Sequence, residues 1–247
     1  MLDRLPTKVP VVELCLPVNV LGSPLSLFRR DVSDLGVRAG LGLVFTFAAG
    51  ASFSRALAEL HSLDFGRLDA QTAGEALAVM TIGLYSMTVA CLYAVRMPAI
   101  GRASGAKPIA AALLGSFLMY GLLLLDRRTD LPLAAQAVSC ALVVAGNGFA
   151  IYTLGCLGRS FSILPECRSL VTSGPYRLVR HPLYLAEEMA MAGAVIQFFS
   201  VLAVVLLAAQ IAFQLARTHY EERVLRAAFP EYEAYRVRTW RLVPGII

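Results

Sequence analysis

Six apolar blocks, at about residues 37–58, 76–97, 108–126, 132–157, 183–198 and 200–217, fill most of this 247-residue chain. A helix needs ~20 apolar residues to cross a hydrocarbon core of ~30 Å. The first, second and fourth blocks reach that length, and the third falls slightly short. The blocks therefore predict an all-α fold, a polytopic membrane bundle of about six transmembrane helices. The last two blocks nearly touch, with Gln197 and Ser200 near the join. They fit either a tight helical hairpin or one broken span with a re-entrant piece.

The chain is 57% hydrophobic and only 16% charged, with a mean hydropathy of +0.66. A soluble domain carries ~25% charged residues, so composition supports the membrane reading. One bundle of this size uses up the length. Three stretches are expected within it: an N-terminal arm over 1–35, cytoplasmic or lying on the membrane surface near Leu25–Phe28; N-terminal transmembrane helices over 36–157; and a C-terminal core over 158–247. The arm does not resemble a secretory signal, because Glu13 and four prolines break its apolar run and no small-residue cleavage site follows. The cysteines at 15, 91, 140, 156 and 167 have no metal-like spacing. They read as small hydrophobes, and no metal site is expected.

Loop charges set an orientation. Arg96, Arg102 and Lys107 follow the second block, and Arg159, Arg168, Arg177 and Arg180 follow the fourth. The tail carries Arg223, Arg226, Arg236, Arg238 and Arg241. Between the first two blocks lie Glu59, Asp64, Asp69 and Glu75 against Arg67. By the positive-inside rule, both termini are expected in the cytoplasm, in an inner or plasma membrane. The net charge of +5 then belongs to cytoplasmic loops, and no nucleic-acid partner is expected. Oligomeric state is not legible here.

Two polar clusters fall on that same face. One runs from Val171 to Tyr184 and holds Tyr176, Arg177, Arg180, His181 and Tyr184. The other, Arg217 to Glu222, follows the sixth block. A hairpin of the last two blocks brings them together. Polar groups at the edges of membrane spans are costly unless partnered, so they mark a site. Arg217 and Glu221 are i,i+4 and share a helix face. A cation and an acid side by side suit a zwitterion such as an amino-acid headgroup.

The run Leu170-Val-Thr-Ser-Gly-Pro-Tyr176, then Arg180-His-Pro-Leu-Tyr184, then Arg217 with Glu221-Glu222, then Phe229-Pro-Glu-Tyr232 with Tyr235, resembles the isoprenylcysteine carboxyl methyltransferase family and its relatives, the phospholipid methyltransferases. The resemblance covers roughly 160–243. It implies S-adenosylmethionine-dependent methyl transfer to a lipophilic acceptor, with a cytoplasmic cofactor site built from the C-terminal third. Cofactor contacts are implied at Arg168, Ser169, Leu170, Val171, Tyr176, His181, Pro182, Leu183, Tyr184, Glu221 and Glu222. Arg217 is implied on the acceptor side. Arg180 or His181 can face the cofactor's carboxylate, and Arg217, Glu188 and Arg180 are the candidate catalytic residues. The chain departs from the eukaryotic pattern at Arg168, where histidine is usual. It departs again at Glu187-Glu188, where small or aromatic residues are usual.

The residue types suit that chemistry. A sulfonium methyl is already activated, so transfer needs alignment more than covalent help. A carboxylate acceptor, such as a prenylcysteine, is ionised at neutral pH and needs only Arg217 to orient it. A phospholipid amine or a small thiol must first lose a proton, and Glu187 or Glu188 could take it. Structural pairing of one of these acids with Arg217 or Arg180 stands beside that role. Gly174-Pro175 and Pro182 could simply mark a turn and a helix start. Arg177 could anchor lipid phosphates. Tyr232 and Tyr235 read as packing or belt aromatics. Gly146-Asn-Gly148 reads as a close helix contact. Two other classes stay open, an NADPH-dependent membrane reductase and a non-catalytic membrane protein. Binding of S-adenosylhomocysteine against NADPH would separate all three.

Overall fold

The computed structural model describes residues 24–61 and 70–246, and the side chains of 34–61 and 71–246. Cys15, Asp64, Arg67, Asp69 and most of the expected arm lie outside the described residues. The chain forms two compact units, Met1–Val37 and Arg38–Ile247. The expected boundary at 157–158 falls inside the second.

The six apolar blocks are six helices: α1 (Pro24–His61), α2 (Ala70–Val95), α3 (Ala106–Phe117), α4 (Leu133–Leu157), α5 (Pro182–Gln197) and α6 (Val201–Ala228). A short α7 (Tyr232–Arg238) lies in the tail. α1 begins at Pro24, so the arm expected over 1–35 runs into this helix. α3 tightens into a 3-10 stretch over Leu118–Leu124. Among the described residues, five helical stretches are long and apolar enough to span a membrane. α5 has 16 residues, or about 24 Å at 1.5 Å per residue, short of a full core. The protein is a polytopic helical membrane bundle. Its outward faces fit that setting: Leu43, Phe47, Leu123, Leu124 and Val201 are all at least 70% exposed, as lipid-facing positions require.

The join between the last two blocks is a tight antiparallel hairpin. Phe198, Phe199 and Ser200 separate α5 from α6. The Ser200 hydroxyl caps α6 by accepting from Ala203 N at 3.2 Å, filling one orphan donor of the first turn. Val195 and Ala203 pack with Met119 and Leu122 at this end. α6 continues eleven residues past the expected limit at 217, so the Arg217–Glu222 cluster is helical throughout.

α5 is held chiefly by α4, through small residues. A Cβ on Gly146 would lie 2.5 Å from Ala190 N and 2.8 Å from its Cα, so the two backbones touch here. Ser139 Oγ donates to Gly193 O at 2.7 Å and accepts from Gln197 Nε2 at 2.9 Å. Of the glycine pair at 146 and 148, only the first is spent this way, since nothing lies within 4 Å of a Cβ on Gly148. Gly146→Val should cost ~1–3 kcal/mol by overpacking a contact that cannot part. Gly148→Ala should be neutral or slightly stabilising through helix propensity. Thermal unfolding in detergent checks both. Equal midpoints for Gly146→Val and wild type would refute the close contact.

One end of the bundle carries a woven cap. A two-residue strand β1 (Gly101–Arg102) pairs antiparallel with β2 (Glu166–Cys167). Met97 N donates to Arg159 O at 2.9 Å and Ala103 N to Pro165 O at 2.9 Å. The tail then lies along the segment before α5. Arg180 N donates to Trp240 O at 2.7 Å, Trp240 N to Leu178 O at 3.0 Å, and His181 N to Arg241 O at 3.1 Å. The α2–α3 loop, the α4–α5 loop and the tail thus share one end, and these are the arginine-rich segments. The opposite end joins Glu75 to Arg127 at 3.0 Å and Arg128 N to Gln197 O at 2.8 Å.

Candidate active site

Under the cap lies a cleft between the α4–α5 loop, the start of α5 and the outer part of α6. Of the expected residues, Arg168, Ser169, Leu170, Val171, Tyr176, Arg180, His181, Leu183, Tyr184 and Glu221 line it. Pro182, Glu188, Arg217 and Glu222 do not. The loop that shapes the wall turns at Gly174. Its φ of +59° suits glycine, and a Cβ there would meet Cys156 Sγ at 2.8 Å. Pro182 occupies the first turn of α5, where its missing N–H costs nothing. That proline starts the helix directly after His181, which fixes the imidazole at the cleft edge.

His181 and Tyr184 stack with ring planes 5° apart and centroids 5.4 Å apart. His181 stands between two carboxylates, with Nδ1 3.7 Å from Glu221 Oε2 and Nε2 3.5 Å from Glu222 Oε1. Tyr184 O–H donates to Glu221 Oε1 at 2.5 Å. Arg217 Nε donates to the same oxygen at 3.0 Å, and its guanidinium lies 4.6 Å over the Tyr184 ring. Glu221 Oε1 is therefore held from two sides. The side chain of Glu221 keeps 16% of its surface exposed, and the cleft reaches it.

The remaining charged groups have other work. Glu222 receives Arg180 Nε at 2.9 Å and Arg241 Nε at 3.2 Å. Arg180 also donates to the carbonyls of Arg236 and Thr239. This knot clamps the tail to α6, and Arg180 meets the cleft with a guanidinium already engaged. Arg168 is fully buried, with Nη2 2.7 Å from Glu166 Oε2 and Nε 2.6 Å from Met97 O. It fastens the α4–α5 loop to the end of α2. Arg177 is exposed and does not line the cleft.

Tyr232 and Tyr235, read from sequence as packing residues, also line the cleft. Tyr235 O–H donates to Tyr176 O at 2.7 Å. Burial pushes the Tyr235 phenol up to about 12 and holds Tyr176 higher still, with Glu221 adding to it. Both stay neutral across the physiological range and present aromatic faces. Tyr232 Oη is buried with no hydrogen-bond partner among the described residues. Ser160, Phe161, Ser162 and Glu166 also line the cleft. This donor set fits S-adenosylmethionine: aromatic and apolar surface for a base, hydroxyls for a ribose, a carboxylate for an ammonium. The orphaned Tyr232 hydroxyl is a buried group that a polar ligand would satisfy.

A polar stripe leads inward from the cleft. On α6, Gln210, Gln214, Arg217 and Glu221 recur at spacings of four, three and four, the period of one helix face. Gln214 Nε2 donates to Glu187 Oε2 at 2.9 Å. Tyr85 O–H of α2 donates to Glu187 Oε1 at 2.7 Å. Arg217 reaches Ser116 Oγ of α3 at 3.0 Å and Ser162 O at 3.2 Å. Glu187 thus bonds a tyrosine and a glutamine. Glu188 lies beside Gln210, and neither of its oxygens completes a hydrogen bond of ordinary geometry among the described residues. Tyr85, Ser116, Gln210 and Gln214 were not expected at the site. The Gln–Gln–Arg–Glu spacing was the signal that would have found the two glutamines. Tyr85 and Ser116 carry none, because each is one polar residue in a separate span. Tyr220, adjacent to Glu221, turns away from the cleft. Among the described residues, no group of three or more His, Cys, Asp or Glu could hold a metal ion.

The chain is 36% identical over 109 residues to a cobalt-zinc-cadmium resistance protein, CzcN, of Cupriavidus metallidurans, covering 39% of this chain and 50% of that one. It is 32% identical over 113 residues to a nickel-cobalt-cadmium resistance protein, NccN, of Alcaligenes xylosoxydans xylosoxydans, covering 44% and 53%. The chain thus spans about half the length of the curated relatives it matches. The phospholipid methyltransferase family model matches residues 134–232. That range contains α5, α6, all but the first residue of α4, and every cleft residue but Tyr235. Residues 134–232 are thus similar to the phospholipid methyltransferases, the group that includes the isoprenylcysteine carboxyl methyltransferase type.

Proposed function

We propose that this chain transfers a methyl group from S-adenosylmethionine to a lipophilic acceptor, with a prenylcysteine-like carboxylate as the preferred class. The observation that carries this reading is the junction at Glu221. One carboxylate faces the cleft while its Oε1 receives Tyr184 and Arg217, so the cofactor cleft and the intramembrane stripe meet at a single residue. When bound, the cofactor supplies a methyl already activated on sulfur. Glu221 would hold its ammonium by a charge-assisted hydrogen bond. The Tyr232 hydroxyl has no partner among the described residues and is available to its sugar; Ser160 and Ser162, whose hydroxyls bond Ser169 and Glu166, can still accept from it, and Tyr176 with Tyr235 offers flat surface to its base.

Arg217 stands on the inner side of Glu221, where an acceptor entering from lipid would arrive. Its contacts to Glu221, Ser116 and Ser162 fix the guanidinium plane. With a further contact to Gln214 they occupy four of its five N–H groups, which leaves one on Nη2 for an acceptor carboxylate, and pre-positioning is most of what a direct displacement needs. A screen of labelled methyl transfer to a farnesylcysteine analogue, phosphatidylethanolamine and a small alkyl thiol tests the acceptor class. Activity on the farnesylcysteine analogue is expected. Activity on the amine or thiol alone would overturn the preference. Calorimetric binding of NADPH with none of S-adenosylhomocysteine would overturn the methyltransferase reading itself. The relatives' names concern metal resistance; on this reading, any such role of the chain would run through the methylated product.

A second reading is favoured by one observation, the two acids at membrane depth. Glu187 is held by neutral donors, and Glu188 is without ordinary partners, which leaves either able to take a proton from an amine or thiol. In that case Glu187→Gln or Glu188→Gln should lower the rate by ~10²–10⁴, the usual worth of general-base catalysis. The loss should shrink as pH rises and the acceptor deprotonates unaided. With a carboxylate acceptor, Glu188→Gln should stay within a few-fold of wild type at every pH. The pH–rate profiles of both variants decide between the readings.

A further inference from the structure

A second pocket opens on the capped end, outside the cleft, between the start of α3 and the outer part of α6. Three cations line it, Arg102, Lys107 and Arg223, together with the ring of Tyr220, and no acidic residue does. Arg102 has one acidic contact, to Glu166 at 3.4 Å, and its side chain stays 46% exposed. Lys107 and Arg223 are exposed and make no ion pair among the described residues. Like charges gathered in a concavity repel each other, and low-dielectric walls concentrate their field. α3 adds to that field, since no side chain caps its N-terminus at Gly105 and its first N–H groups point outward.

The depth of the pocket narrows the ligand. The α3 span starts at Ala106 and the α6 span ends at Ala228, and both residues line the pocket. Both helices turn polar here, with Arg102 and Lys107 around the start of α3 and Glu221, Glu222, Arg223 and Arg226 in the outer part of α6, as at the level where basic pockets between helices meet lipid phosphates. We propose that this pocket is a phosphate-binding site, distinct from the cofactor cleft, that takes a phosphate group presented at the membrane surface. Arg102 and Arg223 can bind phosphate oxygens through two N–H groups each, and Lys107 acts as a point charge. The partition between the two sites is thin. Arg102 pairs with Glu166, and Glu166 lines the cleft on the other side of the β1–β2 ribbon.

The test uses the full chain in detergent, with native mass spectrometry of wild type and of K107Q/R223Q. Three probes are added: phosphatidylglycerol, diacylglycerol of the same acyl chains, and inorganic phosphate. Wild type should retain phosphatidylglycerol and not diacylglycerol. The double variant should bind phosphatidylglycerol about ten- to a hundredfold more weakly. Inorganic phosphate that competes at millimolar concentration identifies free phosphate as a sufficient ligand. Phosphate that fails to compete identifies the lipid as the source. Equal retention of the two lipids, or equal phosphatidylglycerol affinity in wild type and variant, would overturn the proposal. Both substituted residues lie outside the cleft, so S-adenosylhomocysteine affinity of the variant should be unchanged. That readout separates failure of this site from failure of the methyltransferase reading.

Discussion

Arg217→Ala should reduce methyl transfer to a carboxylate acceptor about ten- to a hundredfold, with cofactor affinity little changed. Arg217 makes a charge-assisted contact to Glu221 and hydrogen bonds to Ser116 and Ser162. Charge-assisted contacts are worth ~1.5–3 kcal/mol each, and an acceptor carboxylate would gain one of them, from the N–H left on Nη2. Glu221 stays in place without Arg217, because Tyr184 still donates to it. Removing one member of a buried pair also costs stability, ~3–5 kcal/mol where burial is complete. Arg217→Lys is the companion variant: it keeps the charge and loses the fork, so folding should survive while turnover stays low. Turnover measured beside S-adenosylhomocysteine calorimetry separates the effects. A variant Arg217→Ala that binds cofactor and methylates the farnesylcysteine analogue at the wild-type rate would remove Arg217 from the acceptor side.

Cofactor affinity should fall about ten- to a hundredfold in Glu221→Gln and in His181→Ala, while both proteins still insert and fold. Glutamine at 221 keeps an oxygen for Tyr184 and Arg217 and loses only the charge. The expected loss is one charge-assisted bond to an ammonium, ~1.5–3 kcal/mol, at 1.4 kcal/mol per tenfold. His181 acts by position. Its ring stacks on Tyr184 and spaces Glu221 from Glu222, so its removal loosens one wall of the cleft. The backbone bond from His181 N to Arg241 O does not depend on the side chain, which favours folding of the alanine variant. Unchanged calorimetric affinity in both variants would remove the cleft from cofactor binding.

The bundle was legible in the sequence because lipid imposes a coarse code. Every spanning segment must satisfy its own backbone and present apolar side chains, and such runs stand out in any chain. Each of the six blocks became a helix. The polar residues Tyr176, His181, Tyr184 and Glu221 were legible for the complementary reason, since polarity at a span edge is costly and needs a cause. Their chain order, with one helical hairpin between the two groups, was enough to predict that they meet.

Partners were another matter. The sequence shows that Arg180, Arg217, Glu187 and Glu222 are charged, and not which charge each will face. A guanidinium has five donors and many acceptors in reach, so its assignment waits on distances set by packing. Only the folded chain commits Arg180 to Glu222 and the tail, Arg168 to Glu166 and Met97, and Glu187 to Tyr85 and Gln214. The cap was equally illegible, because β1 and β2 are two residues each and their pairing spans more than sixty positions. The same holds for the basic pocket, which draws Arg102 from β1, Lys107 from the first turn of α3 and Arg223 from a helix over a hundred residues later. The sequence by itself determined what this chain must place in lipid and which polar groups must gather at its edge. The tertiary structure alone decided which of those groups remain open to a ligand, because pairing energy falls steeply with distance and only packing sets the distances.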